Sequence, residues 1–130
     1  MSLNNQATYK TFIASASITA LTLVKLDNDA KVTPCTASDD KVIGVAQIGG
    51  ASGDAINVCL GGISRVIAGG TITSGTHLFV MPGASGKAYA YDGSGANTQV
   101  IVGRFLPNVA NTAASANEEV EIFVSISLGV

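Results

Sequence analysis

The sequence lacks tryptophan and is poor in charged side chains. Asp, Glu, Lys and Arg make up 12% of its 130 residues, about half the usual share of about 25%. Seven basic and nine acidic residues give a net charge of −2 and form no run of either sign. Because nucleic-acid binding depends on clustered Lys and Arg that neutralise phosphates, we expect no nucleic-acid partner. The surface must be built largely from Ser, Thr, Asn, Gly and Ala, which suits contact with a fixed neighbour.

Side chains that carry out catalysis or bind metals are equally scarce. His77 is the only histidine, and it begins an apolar segment without the orienting carboxylate and nucleophile that a general base needs. One histidine and two distant cysteines, Cys35 and Cys59, fall short of a tetrahedral metal site. We expect both thiols to be reduced and partly buried, with a disulfide between them as the alternative. The sequence therefore predicts no enzyme, no metal, no cofactor and no small-molecule substrate.

Three polar or aromatic motifs have ordinary structural explanations. The segment DNDAK (27–31) lacks the glycine and the final glutamate of a calcium loop, so we interpret it as a turn. Asp39 and Asp40 are neighbours that point to opposite sides of an extended chain, which predicts the entry to a strand rather than an acid–base pair. Tyr89 and Tyr91 share one face of a predicted strand, where they form either a packing pair or an exposed recognition surface.

No apolar run is long enough to span a bilayer, for which about 20 residues are needed. The mildly apolar segment 12–24 is interrupted by serine and threonine, and no small-residue cleavage site follows it. The pattern favours a pair of strands over a signal peptide. We therefore expect a protein that is made in the cytoplasm, has no export signal of its own and does not contact a membrane.

What the sequence does contain is a two-residue period of apolar side chains, broken repeatedly by glycine. Such alternation indicates half-buried strands, and no 3.6-residue helical face interrupts it. Most of the fifteen glycines mark turns between these segments. We predict an all-β fold, a small single-domain β-barrel or β-sandwich of about ten short strands. The predicted strands are residues 9–14, 21–26, 31–35, 41–48, 55–60, 63–68, 76–81, 87–91, 99–106 and 119–128.

The strand pattern occurs twice along the chain. SASITALTLVKL (15–26) is echoed by GGTITSGTHLFV (69–80). In each copy a glycine interrupts an apolar strand, Gly44 in the first and Gly103 in the second, which predicts a bulge or a close approach of backbones. We infer a two-fold internal pseudo-repeat whose second copy carries longer loops. The predicted insertions are residues 92–98 and 108–118.

Four motifs follow one another in an order that points to a known family. They are VIGVA (42–46), GDAINV (53–58), GGISRVIA (61–68) and ITSGTHL (72–78). This order resembles that of the capsid cement, or head decoration, proteins of tailed bacteriophages, and the resemblance covers residues 12–128. It implies a small β-barrel or β-sandwich without catalytic residues, bound to the major capsid protein on the outer surface of an icosahedral head. It also implies a homo-oligomer, most often a trimer, located on the virion.

The first eleven residues differ from the rest of the chain. They are polar up to Tyr9 and lack apolar alternation, so we divide the chain into an N-terminal arm (1–11) and a cement domain (12–130). The arm is either a frayed terminus or a latch that adds a strand to a neighbouring protein. The candidate capsid-contact residues are Leu3, Asn4, Asn5, Gln6, Thr8 and Tyr9. The alternative function is a carbohydrate- or protein-binding β-module of a phage tail fibre or surface adhesin, which would use the tyrosines and the loops.

Overall fold

Alternating apolar and polar side chains form eleven strands in the residues that the structure describes. The computed structural model describes residues 7–27, 29–38, 40–73, 79–91, 100–106 and 113–128. The strands are β1 (Thr8–Ile13), β2 (Leu23–Leu26), β3 (Val32–Pro34), β4 (Val42–Ala46), β5 (Ala55–Ile67), β6 (Ile72–Thr73), β7 (Phe79–Pro82), β8 (Ala88–Ala90), β9 (Val100–Phe105), β10 (Ala113–Ala114) and β11 (Glu119–Leu128). A 3-10 turn at Ala84–Gly86 is the one helical segment in these ranges. The prediction of a small all-β domain is confirmed.

Nine of the strands form one curled sheet with the shape of half a barrel. Its order is β3-β2-β4-β5-β11-β9-β7-β8, and β1 pairs with β5 beside this path. The other two strands, β6 and β10, pair in a small antiparallel sheet. Every pairing between these strands is antiparallel, an arrangement that short turns can connect.

The strand β5 differs from its prediction. The sequence predicts a turn at Gly61 and Gly62, between two short strands, but the chain continues through them as one strand of 13 residues. Residues 55–61 pair with β1 and β4, whereas residues 62–67 pair with β11. Gly62 has φ 101°, a conformation that glycine adopts without steric cost. The left-handed conformation of Gly62 therefore lies inside a strand, at the point where β5 changes partners, and the predicted turn is wrong.

The strand pairings confirm the internal repeat and extend it. The hairpin β2–β3 has its counterpart in β7–β8, β4 in β9, and the first half of β5 in β11. β1 corresponds to the second half of β5, because β1 pairs with residues 55–61 as residues 62–67 pair with β11. We call residues 8–61 the first repeat and residues 62–128 the second repeat. Each repeat thus begins one strand earlier than the sequence pattern indicated.

The buried side chains form two clusters that meet at the sheet of the first repeat. The smaller cluster is the interior of the first repeat, made of Ala14, Ile18, Val24, Val32, Ala46, Ile56 and Val58. The larger cluster is the interior of the second repeat, made of Val66, Ala68, Ile72, Val80, Ala88, Val100, Val102, Phe105, Val120, Ile122 and Val124. It also takes in five buried residues of the first repeat, Leu23, Cys35, Val42, Val45 and Cys59. Since successive residues of a strand point to opposite faces, the first repeat buries both faces of its sheet.

Gly44 and Gly103 lie where a neighbouring backbone leaves no room for a side chain. A Cβ atom on Gly103 would lie 2.9 Å from the carbonyl carbon of Phe123 and 3.1 Å from Cα of Val124. A Cβ atom on Gly44 would lie 2.9 Å from the carbonyl carbon of Cys59. Cys59 and Phe123 occupy corresponding positions in the two repeats. The close approach that the sequence predicted at both glycines is therefore confirmed.

Candidate functional site

Groups that carry out chemistry are sparse in the described part of the chain. Across these residues, no three His, Cys, Asp or Glu side chains come together in a group able to hold a metal ion. His77 and Asp39 lie outside the described residues. The same is true of Leu3, Asn4, Asn5 and Gln6 of the predicted arm, and of the predicted insertion 92–98. The candidate sites that the structure describes are therefore surfaces of the sheet.

The two cysteines are buried and unpaired. Both Cys35 and Cys59 have no solvent exposure and belong to the larger cluster, so the expected reduced thiols are present and more deeply buried than predicted. Burial raises the pKa of the Cys35 thiol to about 12. Burial also raises the pKa of Cys59, whose Sγ donates a hydrogen bond to the carbonyl oxygen of Gly61 at 3.3 Å. Neither thiol has the lowered pKa of a nucleophilic cysteine.

The acidic side chains organise turns. Asp27 Oδ1 accepts hydrogen bonds from the backbone N–H groups of Asp29 at 2.8 Å and Lys31 at 3.0 Å, which lower the pKa of Asp27, the bond from Lys31 most strongly. Partial burial alone would raise the pKa of Asp40. The backbone N–H groups of Thr36 and Ala37, which donate hydrogen bonds to its carboxylate, and the nearby Lys25 ammonium have the larger effect, so the pKa of Asp40 is lowered. These are the turn functions that the sequence predicted for the described residues of both motifs.

The ring of Tyr89 packs against backbone and is not open to solvent. Its ring covers Gly69 and Gly83, where an added Cβ atom would collide with the ring carbons. Across the β7–β8 ladder it faces Met81. Tyr91 is also half-buried, and its N–H donates to the carbonyl oxygen of Phe79 at 2.9 Å. This arrangement favours the packing interpretation of the two tyrosines.

The predicted arm is partly a strand at an edge of the sheet. Thr8 and Tyr9 belong to β1, so the boundary drawn after residue 11 falls inside this strand. Within the described residues β1 pairs only with β5, which leaves its other side unpaired in those ranges. Tyr9 is 50% and Ile13 42% exposed. Their counterparts in the second repeat, Ile63 and Ile67, are half-buried, so β1 is the less covered of two equivalent strands.

A second exposed surface lies on the second repeat. Phe79, Arg104 and Phe123 form a row across β7, β9 and β11, with Phe79 40% and Phe123 48% exposed. Together with Ile101 they line a depression of about 320 Å³. We call these four residues the Phe79–Phe123 patch. Two of the protein's four phenylalanines are thus exposed on the two sides of one arginine.

One comparison with known proteins matches this architecture. The chain is similar to the crystal structure of the N base of the head fiber protein gp8.5 of bacteriophage phi29, with a TM-score of 0.67. The match covers 92% of this chain and 95% of that chain at 19% sequence identity. The two proteins share a fold. At this identity the likeness concerns the fold alone.

The remaining comparisons add no relative. No protein-family model matches the sequence, and a search of curated proteins finds no match. In the described residues, no helix has the length and apolar character needed to cross a membrane.

Proposed function

We propose that this protein is a structural component of a tailed-phage virion that binds the outer surface of the assembled head. The fold it shares with the base of a phage head fiber supports this role, as does the order of sequence motifs that resembles the cement proteins. In this proposal the partner is the major capsid protein, and several copies, three in the favoured case, act together. The protein is not an enzyme in this role.

The exposed strand β1 is the part of the protein that we propose contacts the capsid protein. Tyr9 and Ile13 present apolar surface beside a strand edge that has no partner among the described residues. An exposed edge of this kind pairs readily with a strand of another protein. The contact proposed for residues 3–9 is therefore strand addition to the capsid protein, with Tyr9 as the anchor. Tyrosine suits this position because it offers a large rigid surface and a polar end.

The physical action of such a protein follows from mass action. A molecule that binds the assembled shell and not the separated subunits stabilises the shell, by about 2.7 kcal/mol per site at a hundredfold excess over Kd. Several copies that bind neighbouring subunits at once multiply weak contacts into firm attachment. The sparse charge of this surface makes the attachment insensitive to salt, because little of it is electrostatic.

The experiment measures binding of the purified protein to bare shells of the phage that encodes it. Tyr9→Ser should weaken co-sedimentation with the shells at least about tenfold, equal to about 1.4 kcal/mol, while β1 still forms. Ile48→Ser is the control. Ile48 is 50% exposed, as Tyr9 is, but it lies outside β1, so this variant should bind like the wild type. Absence of wild-type binding to shells would reject the proposed function, and equal binding of Tyr9→Ser would reject the role of β1.

The similar structure favours a second candidate, the base of a longer fibre attached to the head. Both candidates predict binding to shells, but a cement protein also raises their resistance to heat. Bare and occupied shells should therefore be melted side by side. A higher melting temperature of the occupied shells supports the cement function, whereas full occupancy with unchanged melting supports the fibre base.

A further inference from the structure

The Phe79–Phe123 patch has a buried counterpart in the first repeat. The strand pairings match Phe79, Arg104 and Phe123 with Leu23, Val45 and Cys59. Ile101 in β9 holds the place of Val42 in β4. The first-repeat residues are at most 5% exposed. The same face of the same fold is therefore covered in one repeat and open in the other.

The cover over the first repeat is the second repeat. Leu23, Val45 and Cys59 are buried in one cluster with the interior of the second repeat, and β4 lies against β9 and β11. The N–H of Val100 donates to the carbonyl oxygen of Ser38 at 2.9 Å, which ties β9 to the first repeat. This face therefore already packs, inside the chain, against another unit of its own fold.

The charges beside the patch also fit a partner of the same sequence. Among the described residues the ion pairs are Lys25–Asp40 and Arg65–Glu119, and Arg104 takes part in neither. Glu121 is exposed on the outward face of β11, two residues before Phe123. One face thus carries an arginine between two phenyl rings and a carboxylate close to it, so two copies offer each other apolar surface and opposite charge.

We propose that a second copy of this chain packs on the Phe79–Phe123 patch. The contact buries the two phenyl rings and brings Arg104 of one copy to Glu121 of the next. It adds a contact between the copies that act together in the proposed function, but it is tested on the isolated protein and on a surface other than β1, so self-association and binding to shells can fail separately. An exposed apolar patch rimmed by polar side chains is typical of sites where proteins associate.

The first test compares association of the wild type and single variants by sedimentation velocity over a range of concentrations. Phe123→Ser should weaken self-association at least about tenfold, since aromatic residues near the centre of an interface dominate its affinity. Leu26→Ser is the matched control, because Leu26 is 43% exposed outside the patch. Circular dichroism shows that each variant is folded. A wild type that stays monomeric at millimolar concentration overturns the proposal.

The second test exchanges the charges. Arg104→Glu and Glu121→Arg should each weaken self-association, because each places like charges across the contact. The double variant in one chain reverses both charges and should recover most of the wild-type association. A structural defect at either position would not be repaired by the second change. Association that is unaffected by Phe123→Ser and by both charge variants overturns the proposal.

Discussion

Gly103 provides the most direct test of the packing described above. An alanine there brings its Cβ atom 2.9 Å from the carbonyl carbon of Phe123 and 3.1 Å from Cα of Val124, and closer still to the oxygen of that carbonyl. The obstacle is backbone in the middle of the β9–β11 ladder, so no side-chain rotation relieves it. β9 and β11 must separate locally to restore van der Waals contact.

The cost of Gly103→Ala follows from this separation. Overpacking a core position costs about 1–3 kcal/mol, and each ladder hydrogen bond lost adds about 1 kcal/mol. With one or two bonds affected, we expect a loss of about 2–5 kcal/mol, a large part of the 5–15 kcal/mol typical of a domain. Gly44→Ala should lose a similar amount, because the carbonyl of Cys59 occupies the corresponding place.

Urea unfolding followed by far-ultraviolet circular dichroism measures this loss. Gly61→Ala is the control, because a Cβ atom at Gly61 has only the carbonyl oxygen of Val124 within reach, at 3.9 Å, and Gly61 is not among the glycines with positive φ. The control should stay within about 1 kcal/mol of the wild type. A loss below about 1 kcal/mol for Gly103→Ala, equal to the control, would refute the close approach and the correspondence with Gly44.

Two further predictions concern ionisable groups. Cys35 and Cys59 should resist thiol reagents at pH 8 in the folded protein, because burial raises both pKa values, and should react fully in denaturant; rapid labelling of the native protein would contradict their burial. Asp40→Asn should lower the melting temperature at pH 7, because the lowered pKa of Asp40 means that its carboxylate stabilises the fold above the usual aspartate pKa of about 3.9. This difference should shrink as pH falls below about 4, and a constant difference from pH 7 to pH 3 would contradict the role of its charge.

The strands and the repeat could be predicted because they depend on local patterns. A two-residue period of apolar side chains directly reflects a sheet with one buried face, and the interior glycines mark equivalent crowded positions. The prediction of a turn at Gly61 and Gly62 was wrong because paired glycines are also compatible with an irregular position inside a strand. Which of the two occurs depends on β11, a strand about 60 positions away, and local sequence carries no such information.

The two surfaces were less accessible to sequence reasoning. A strand was predicted at residues 9–14, but its first residues were also assigned to a polar arm, because residues 1–11 are polar up to Tyr9 and lack apolar alternation. The patch was missed because Phe79 and Phe123 look like ordinary core residues in an alternating strand. The sequence did contain one indication of the patch, because the second repeat has Arg104 where the first repeat has Val45.

The long strand β5 has a consequence for how the protein unfolds. Its thirteen residues are the last strand of one repeat and the first strand of the other, and the larger cluster draws side chains from both. Unfolding either repeat therefore removes hydrogen bonds and apolar contacts from the other repeat. We therefore expect the two repeats to unfold together as one cooperative unit, and a single protease cut within β5 to unfold both.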